Sequence, residues 1–90
     1  MGRWAIDHTW TGDEAVAVEA HLLPSGQLQP TAFTWRSRYW RVVGLGREWE
    51  DKDGRHILVI TSDMSRFELC LTSGQSSWRM LRAWERPYLA

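Results

Sequence analysis

The sequence predicts an all-β domain: a small antiparallel meander of five or six strands, curled into an SH3-like barrel or a strongly curved sheet. Three observations predict it. Apolar residues alternate with polar ones at period two, as half-buried strands require. The runs recur at roughly eight- to twelve-residue intervals between polar turns. Asp53-Gly54, a favoured two-residue hairpin pair, leads directly into the β-branched run His56-Ile57-Leu58-Val59-Ile60-Thr61.

The first element is Ala15 to Leu22, where Val16, Val18, Ala20 and Leu22 share one face and Glu19 and His21 the other. A short helix capped by Thr11 or Asp13 and ended by Pro24 is the rival reading, since alanine and glutamate favour helix. Pro24-Ser25-Gly26-Gln27 is a turn by composition, and Pro30 opens a second strand, Thr31 to Trp35, with Phe33 and Trp35 on one face. Arg36-Ser37-Arg38 then breaks the aromatic stretch as a tight turn, after which Trp40 and Val42 alternate with Tyr39, Arg41 and Val43. Gly44 and Gly46 fall where this alternation loses phase and mark a bulge or bend at which the sheet curls.

The charged stretch Glu48 to Arg55 carries the Asp53-Gly54 turn. Two more strands follow, Arg66 to Thr72 and Ser77 to Trp84, after turns at Ser62 to Ser65 and Ser73 to Ser76. Phe67, Leu69 and Leu71 form one face of the former, and Trp78, Met80, Arg82 and Trp84 one face of the latter. Pro87 ends regular structure. The expected organisation is one domain, 1–90, with residues 1–13 open to being a mobile lead-in, a β core over 14–85 and a tail over 86–90.

Composition narrows the function. Eleven Lys+Arg balance eleven Asp+Glu, so no bulk field draws the chain to nucleic acid or an anionic membrane, although a local patch could. There is no apolar run of about eighteen residues to span a bilayer and no apolar stretch near Met1 for a signal peptide, which makes a cytoplasmic location the expectation. One cysteine, Cys70, excludes an intrachain disulfide and argues against a cysteine-rich zinc site. Seven tryptophans are far more than usual, and a chain this short needs large rings to build a core. Ten arginines stand against Lys52 alone. Arg beside Trp suits a recognition surface, but codon drift in a GC-rich genome produces the same bias.

Catalytic constellations are absent from the pattern. His8, His21 and His56 lack metal-site spacing and read as scattered surface residues. Asp7-His8 beside Trp10 has no nucleophile near it. Cys70 alternates away from the Phe67 face with no base beside it and reads as inert packing. Gly44-Leu45-Gly46 lacks the third glycine of a dinucleotide fingerprint, and Glu48, Glu50, Asp51 and Asp53 lack calcium-loop spacing, so they read as a solvated hairpin tip. No catalytic residue, metal or cofactor is expected. The strongest constellation is Phe33-Thr34-Trp35-Arg36-Ser37-Arg38-Tyr39-Trp40-Arg41, which alternates aromatic and basic side chains. Two readings stay open: an ordinary half-buried hairpin with a solvated turn, or a single-strand platform in which rings stack on bases and arginines follow phosphates. In the second, Trp35, Arg36, Arg38, Trp40 and Arg41 form the surface, and Arg79 and Arg82 widen it if the last strand lies beside the hairpin.

The motif Pro30-x-x-Phe33-x-Trp35-Arg36-x-Arg38-x-Trp40-x-Val42, then Trp49, Val59-x-Thr61, Phe67-x-Leu69 and Trp78-x-Met80-x-Arg82, resembles a family of small bacterial domains of unknown function that occur as standalone proteins. It is also similar to the C-terminal tail of the catalytically inactive Y-family polymerase homologue of the bacterial translesion complex. The likeness covers roughly residues 14 to 85. Ser37 stands where that family commonly has glycine, and Trp84-Glu85 replace its usual tyrosine or aspartate. The resemblance implies a non-catalytic module in DNA-damage tolerance and supplies no active site. Its implied partners are a translesion polymerase-like protein or single-stranded nucleic acid. A pure protein-interaction or self-association domain is the alternative.

Overall fold

The computed structural model describes residues 8–74 and 77–86. Seven strands are found there: β1 (His8–Ala15), β2 (Ala17–Leu22), β3 (Leu28–Trp35), β4 (Arg38–Asp51), β5 (Gly54–Thr61), β6 (Arg66–Thr72) and β7 (Trp78–Glu85). They form one antiparallel sheet in the order β1-β7-β6-β5-β4-β3-β2. The two outermost strands, β1 and β2, are consecutive in the chain and separated only by Val16, so the sheet must curl to bring both its ends to one segment. No ladder joins β1 to β2, and the sheet is strongly curved without being closed.

Local sequence explains the curvature. β4 runs for fourteen residues, pairing with β3 through Arg38 to Arg41 and with β5 from Val42 onward. Its register slips between Val42 and Gly44 and again between Leu45 and Glu48. The two glycines therefore do mark a bend, but within one continuous strand. Inside the curl lie Phe33, Trp35, Trp40, Ile57, Val59, Phe67, Leu69, Trp78, Met80 and Ala83, with Trp10, Val16, Val18, Leu28, Val42 and Leu71 packed around them. Phe67 sits at the centre, its ring edge-on to Phe33 at 5.0 Å, to Trp40 at 4.7 Å and to Trp35 at 6.0 Å. Such tilted arrangements suit the ring quadrupoles.

Several expectations are corrected. The Ala15–Leu22 segment is extended, which removes the helix, but Ala15 ends β1, and beyond the bulge at Thr31 of β3 Ala20 and Leu22 are exposed instead of sharing the inner face. Pro30 lies within β3 at that bulge, where its missing N–H is tolerated. Residues 8–13, placed in the lead-in, belong to β1, which pairs with β7. Residues 1–7, Asp7 of the Asp7-His8 fragment, part of the Ser73–Ser76 turn and the tail from Pro87 onward lie outside the described residues.

In β7 a register shift opposite Glu68 and Leu69 leaves Leu81 unpaired with β6. Trp78, Met80 and Ala83 consequently face the core, while Arg82 is exposed and Trp84 half-buried on the other side. At the β4–β5 hairpin the turn residues are Lys52 and Asp53, and Gly54 opens β5 opposite Asp51. Gly54 has φ +142°, and a Cβ there would run into the Leu71 carbonyl of β6. Close approach of the neighbouring strand therefore demands this glycine.

Candidate functional site

The aromatic-basic hairpin spends its rings inward. Trp35 and Trp40 are 3% and 4% exposed and Phe33 is fully buried, so none of these faces is open to a base. Arg36 and Ser37 make the turn, with φ of 55° and 64°, a left-handed pair usually filled by Asn or Gly. The Arg36 guanidinium lies 4.5 Å from the Trp35 ring centroid and 5.0 Å from that of Trp10. Its Nε and Nη2 donate to Glu14 at 3.2 and 3.0 Å, and Trp35 Nε1 donates to Glu14 Oε1 at 2.9 Å. These donors, Arg36 first, hold the Glu14 carboxyl below its ordinary 4.5. This cluster clasps β1 to the β3–β4 turn. Arg38 stacks 3.8 Å from the Trp40 centroid and pairs with Asp63 at 3.3 Å, and Arg41 is exposed.

Arg79 and Arg82 do not extend this hairpin, because β7 pairs with β6 and β1 and not with β3 or β4. Arg79 Nε donates to Asp13 Oδ1 at 2.6 Å over a cavity of about 360 Å³ that Cys70 also lines. Burial first, and then the carboxylates Asp51, Asp53, Glu68 and Asp13, push the Cys70 thiol up to about 11. A thiol so protonated is a poor nucleophile, in keeping with its packing position.

Arg82 leads instead to the outer face of β4 to β7. There a groove of about 570 Å³ is lined by Arg47, Trp49, Asp51, His56, Leu58, Glu68, Arg82 and Trp84. The register builds it row by row. Trp49 lies opposite His56, His56 opposite Cys70, and Cys70 opposite Arg79; one step along, Leu58 lies opposite Glu68 and Glu68 opposite Arg82; a further step brings Ile60, Arg66 and Trp84 into line. Trp49 and Trp84 are half-buried, and each has guanidinium near its ring: Arg47 5.1 Å from the Trp49 centroid, Arg66 and Arg82 5.8 and 6.0 Å from that of Trp84.

The floor is polar and buried. His56 is only 4% exposed, against the expectation of a surface histidine, because the Trp49 ring lies over it at 5.1 Å and 5° from parallel. Its Nδ1 is 2.8 Å from Glu68 Oε2, and its Nε2 is 2.9 Å from Asp51 Oδ1. Glu68 is buried as well, with Arg82 Nε 3.6 Å from its Oε1. Burial opposes charge on His56, but the hydrogen bonds that its ring nitrogens donate to Asp51 and Glu68 outweigh it and hold its pKa above the ordinary 6.5. In return the hydrogen bond from His56, then that from the Asp53 N–H, keeps Asp51 below 3.8.

Of the residues expected to form the binding surface, Trp35, Arg36, Arg38, Trp40, Arg41, Arg79 and Arg82, only Arg82 lines this groove. Trp49, Trp84, Arg47, His56 and Glu68 were legible only through register. Taking Asp53-Gly54 as the hairpin loop sets Asp51 opposite His56; the observed Lys52-Asp53 loop lies one residue earlier, which moves the pairing by two residues and brings Trp49 there. Among the described residues no group of His, Cys, Asp and Glu is arranged to hold a metal ion, and no helix is long and apolar enough to cross a membrane. Comparison with family models, with curated proteins and with solved structures found no match to this chain.

Proposed function

We propose that this chain is a non-catalytic binding module that grips single-stranded nucleic acid in the β4–β7 groove, as a cytoplasmic accessory to bacterial DNA repair or translesion synthesis. The observation that carries the binding reading is the pair of half-buried indoles, Trp49 and Trp84, set among Arg47, Arg66 and Arg82 on one open face. The place in repair rests on the motif resemblance alone. Three guanidiniums against the carboxylates Asp51 and Glu68, with His56 between those two, give a locally cationic surface on a chain of zero net charge. A base stacking on either indole would displace an exposed guanidinium, which is then available to a phosphate.

Geometry selects the length of the ligand. Trp49 and Trp84 stand three strands apart, about 14 Å at the usual strand spacing, and their rows are a further ~13 Å apart along β5, a diagonal of roughly 19 Å. A mononucleotide reaches one ring; an extended strand reaches both. The expected result is oligonucleotide binding that strengthens with length and weakens steeply as salt rises, followed by the indole resonances of Trp49 and Trp84. Replacing either tryptophan by alanine should weaken binding by about 1–3 kcal/mol, roughly 5- to 150-fold. Binding unaffected by both substitutions would refute the reading.

One observation favours protein docking as a second reading. Val43 and Leu45 are exposed on β4 beside a shallow depression lined by Pro30, Val42 and Gly44. An apolar contact there, with a polymerase-like partner or another copy of this chain, would be nearly indifferent to salt.

A further inference from the structure

The His56 bridge carries more information than its position. A neutral imidazole has one N–H and one lone pair, whereas ionised carboxylates only accept. His56 nevertheless places a ring nitrogen 2.8 Å from Glu68 and the other 2.9 Å from Asp51. With a neutral ring, one of these contacts sets lone pair against lone pair. Both are attractive when an extra proton sits in the bridge, so that each nitrogen donates. The parallel Trp49 ring gains in the same state, since an imidazolium is drawn to an indole face.

We infer that His56, held doubly protonated between Asp51 and Glu68, is the positioning residue that fixes Trp49 as the stacking plate of the groove. The inference rests on the reading of that groove as a nucleic-acid surface only for its consequence, that capture weakens once the proton leaves.

The charged neighbours agree with this assignment. From β4, Asp51 faces the ring and Arg47 flanks Trp49; from β6, Glu68 faces it and Cys70 Sγ lies 3.9 Å from Nε2. From β7, Arg82 reaches Glu68, and Arg79 is turned to Asp13 of β1; the Asp53 carbonyl of the β4–β5 turn accepts from Cys70. The thiol stays protonated beside these carboxylates and adds no charge. The pKa of His56, raised by its two partners against burial, points the same way. On deprotonation the contact to release is Asp51, which stands at the exposed rim, while Glu68 is buried and braced by Arg82. Asp51 follows Trp49 by two residues on the same strand, so its release loosens the plate directly.

Nitrogen-15 NMR of the His56 ring in the free protein tests the bridge without any ligand. Both ring nitrogens should be protonated below a midpoint that lies above the ordinary 6.5, and the Trp49 indole resonance should move with that midpoint. In Asp51→Asn the amide, turned so that it donates to Nε2, satisfies a neutral ring while giving up the bond that Oδ1 accepts from the Asp53 N–H. The midpoint should then shift down, and Trp49 should stay in place across the range. A ring that loses its second proton at or below the ordinary 6.5, a midpoint unmoved by Asp51→Asn, or a Trp49 signal indifferent to the titration would each overturn the inference. A short thymidine oligonucleotide, added to both proteins, should bind the native chain more weakly above the midpoint and the variant equally on both sides. Absence of any binding would refute the nucleic-acid reading while the ring resonances still decide the bridge.

Discussion

Replacing Trp40 by phenylalanine and, separately, by alanine distinguishes what its ring contributes from what its N–H contributes. The side chain is 4% exposed, stacked near Phe33 at 6.1 Å and edge-on to Phe67 at 4.7 Å. Among the described residues its Nε1 is the buried side-chain donor with no hydrogen-bond partner. Truncation to alanine removes the whole ring from the core and should cost about 3–5 kcal/mol. A chain of this length has a total stability of roughly 5–13 kcal/mol, so this variant loses a large share. Phenylalanine removes only three ring atoms, leaving about 40 Å³ and costing about 1 kcal/mol at ~24 cal/mol per Å³. It also deletes a desolvated donor whose burial costs about 1–3 kcal/mol. The two changes nearly cancel, and Trp40→Phe should lie within about 1 kcal/mol of the native chain, allowing for the weaker attraction of a benzene ring for Arg38. Urea unfolding with a common m-value reads the difference. A loss above roughly 2 kcal/mol for the phenylalanine variant would show that the N–H is bonded in solution, contrary to the argument.

Two other substitutions probe the clasp at the β3–β4 turn. Ser37 sits at φ 64°, where a non-glycine residue costs about 1–2 kcal/mol and glycine gives back roughly 0.5–1 in lost chain entropy, so Ser37→Gly should raise stability by about 0.5–1 kcal/mol in thermal unfolding. No gain would mean that the side chain holds the turn. Glu14, held below 4.5 by Arg36 and Trp35, contributes stability that is complete above 4.5 and drains away as pH falls through its lower folded value. Glu14→Gln should therefore unfold less steeply in acid than the native chain, and superimposable acid limbs in denaturant midpoints would remove Glu14 from the account.

The strands were legible because alternation and turn chemistry are local. Phe33 with Trp35, and Phe67 with Leu69 and Leu71, read correctly as inner faces. The sequence also located the bend at Gly44 and Gly46. What local reading cannot supply is phase across a bulge: the extra residue Leu81 sends Arg82 and Trp84 outward, although both sit at even spacing from the buried Met80. β1 is not legible locally because His8 to Ala15 carries no apolar alternation, Trp10 being its one large ring; it is made a strand by its ladder to β7. The groove depended on both failures together. Trp49 and His56 meet only when the hairpin loop is counted as Lys52-Asp53, and Trp84 joins that face only when Leu81 is counted out. The aromatic-basic hairpin uses Trp35 and Trp40 for the interior, since a chain of ninety residues with only two phenylalanines needs its indoles to fill the core.

The adjacency of β1 and β2 through Val16 has a kinetic corollary. On the ribosome β1 emerges before any other described strand, yet among the described residues its one ladder is to β7; Asp13 must wait for Arg79, sixty-six positions later. The meander from β2 to β7 can zip by successive neighbours, each closing a short loop, whereas docking β1 closes the longest loop of all. Until that step β7 presents an unprotected rim to which the β1 of a neighbouring nascent chain is as well matched as its own, and the Arg36–Glu14–Trp35 clasp then secures whichever β1 has docked.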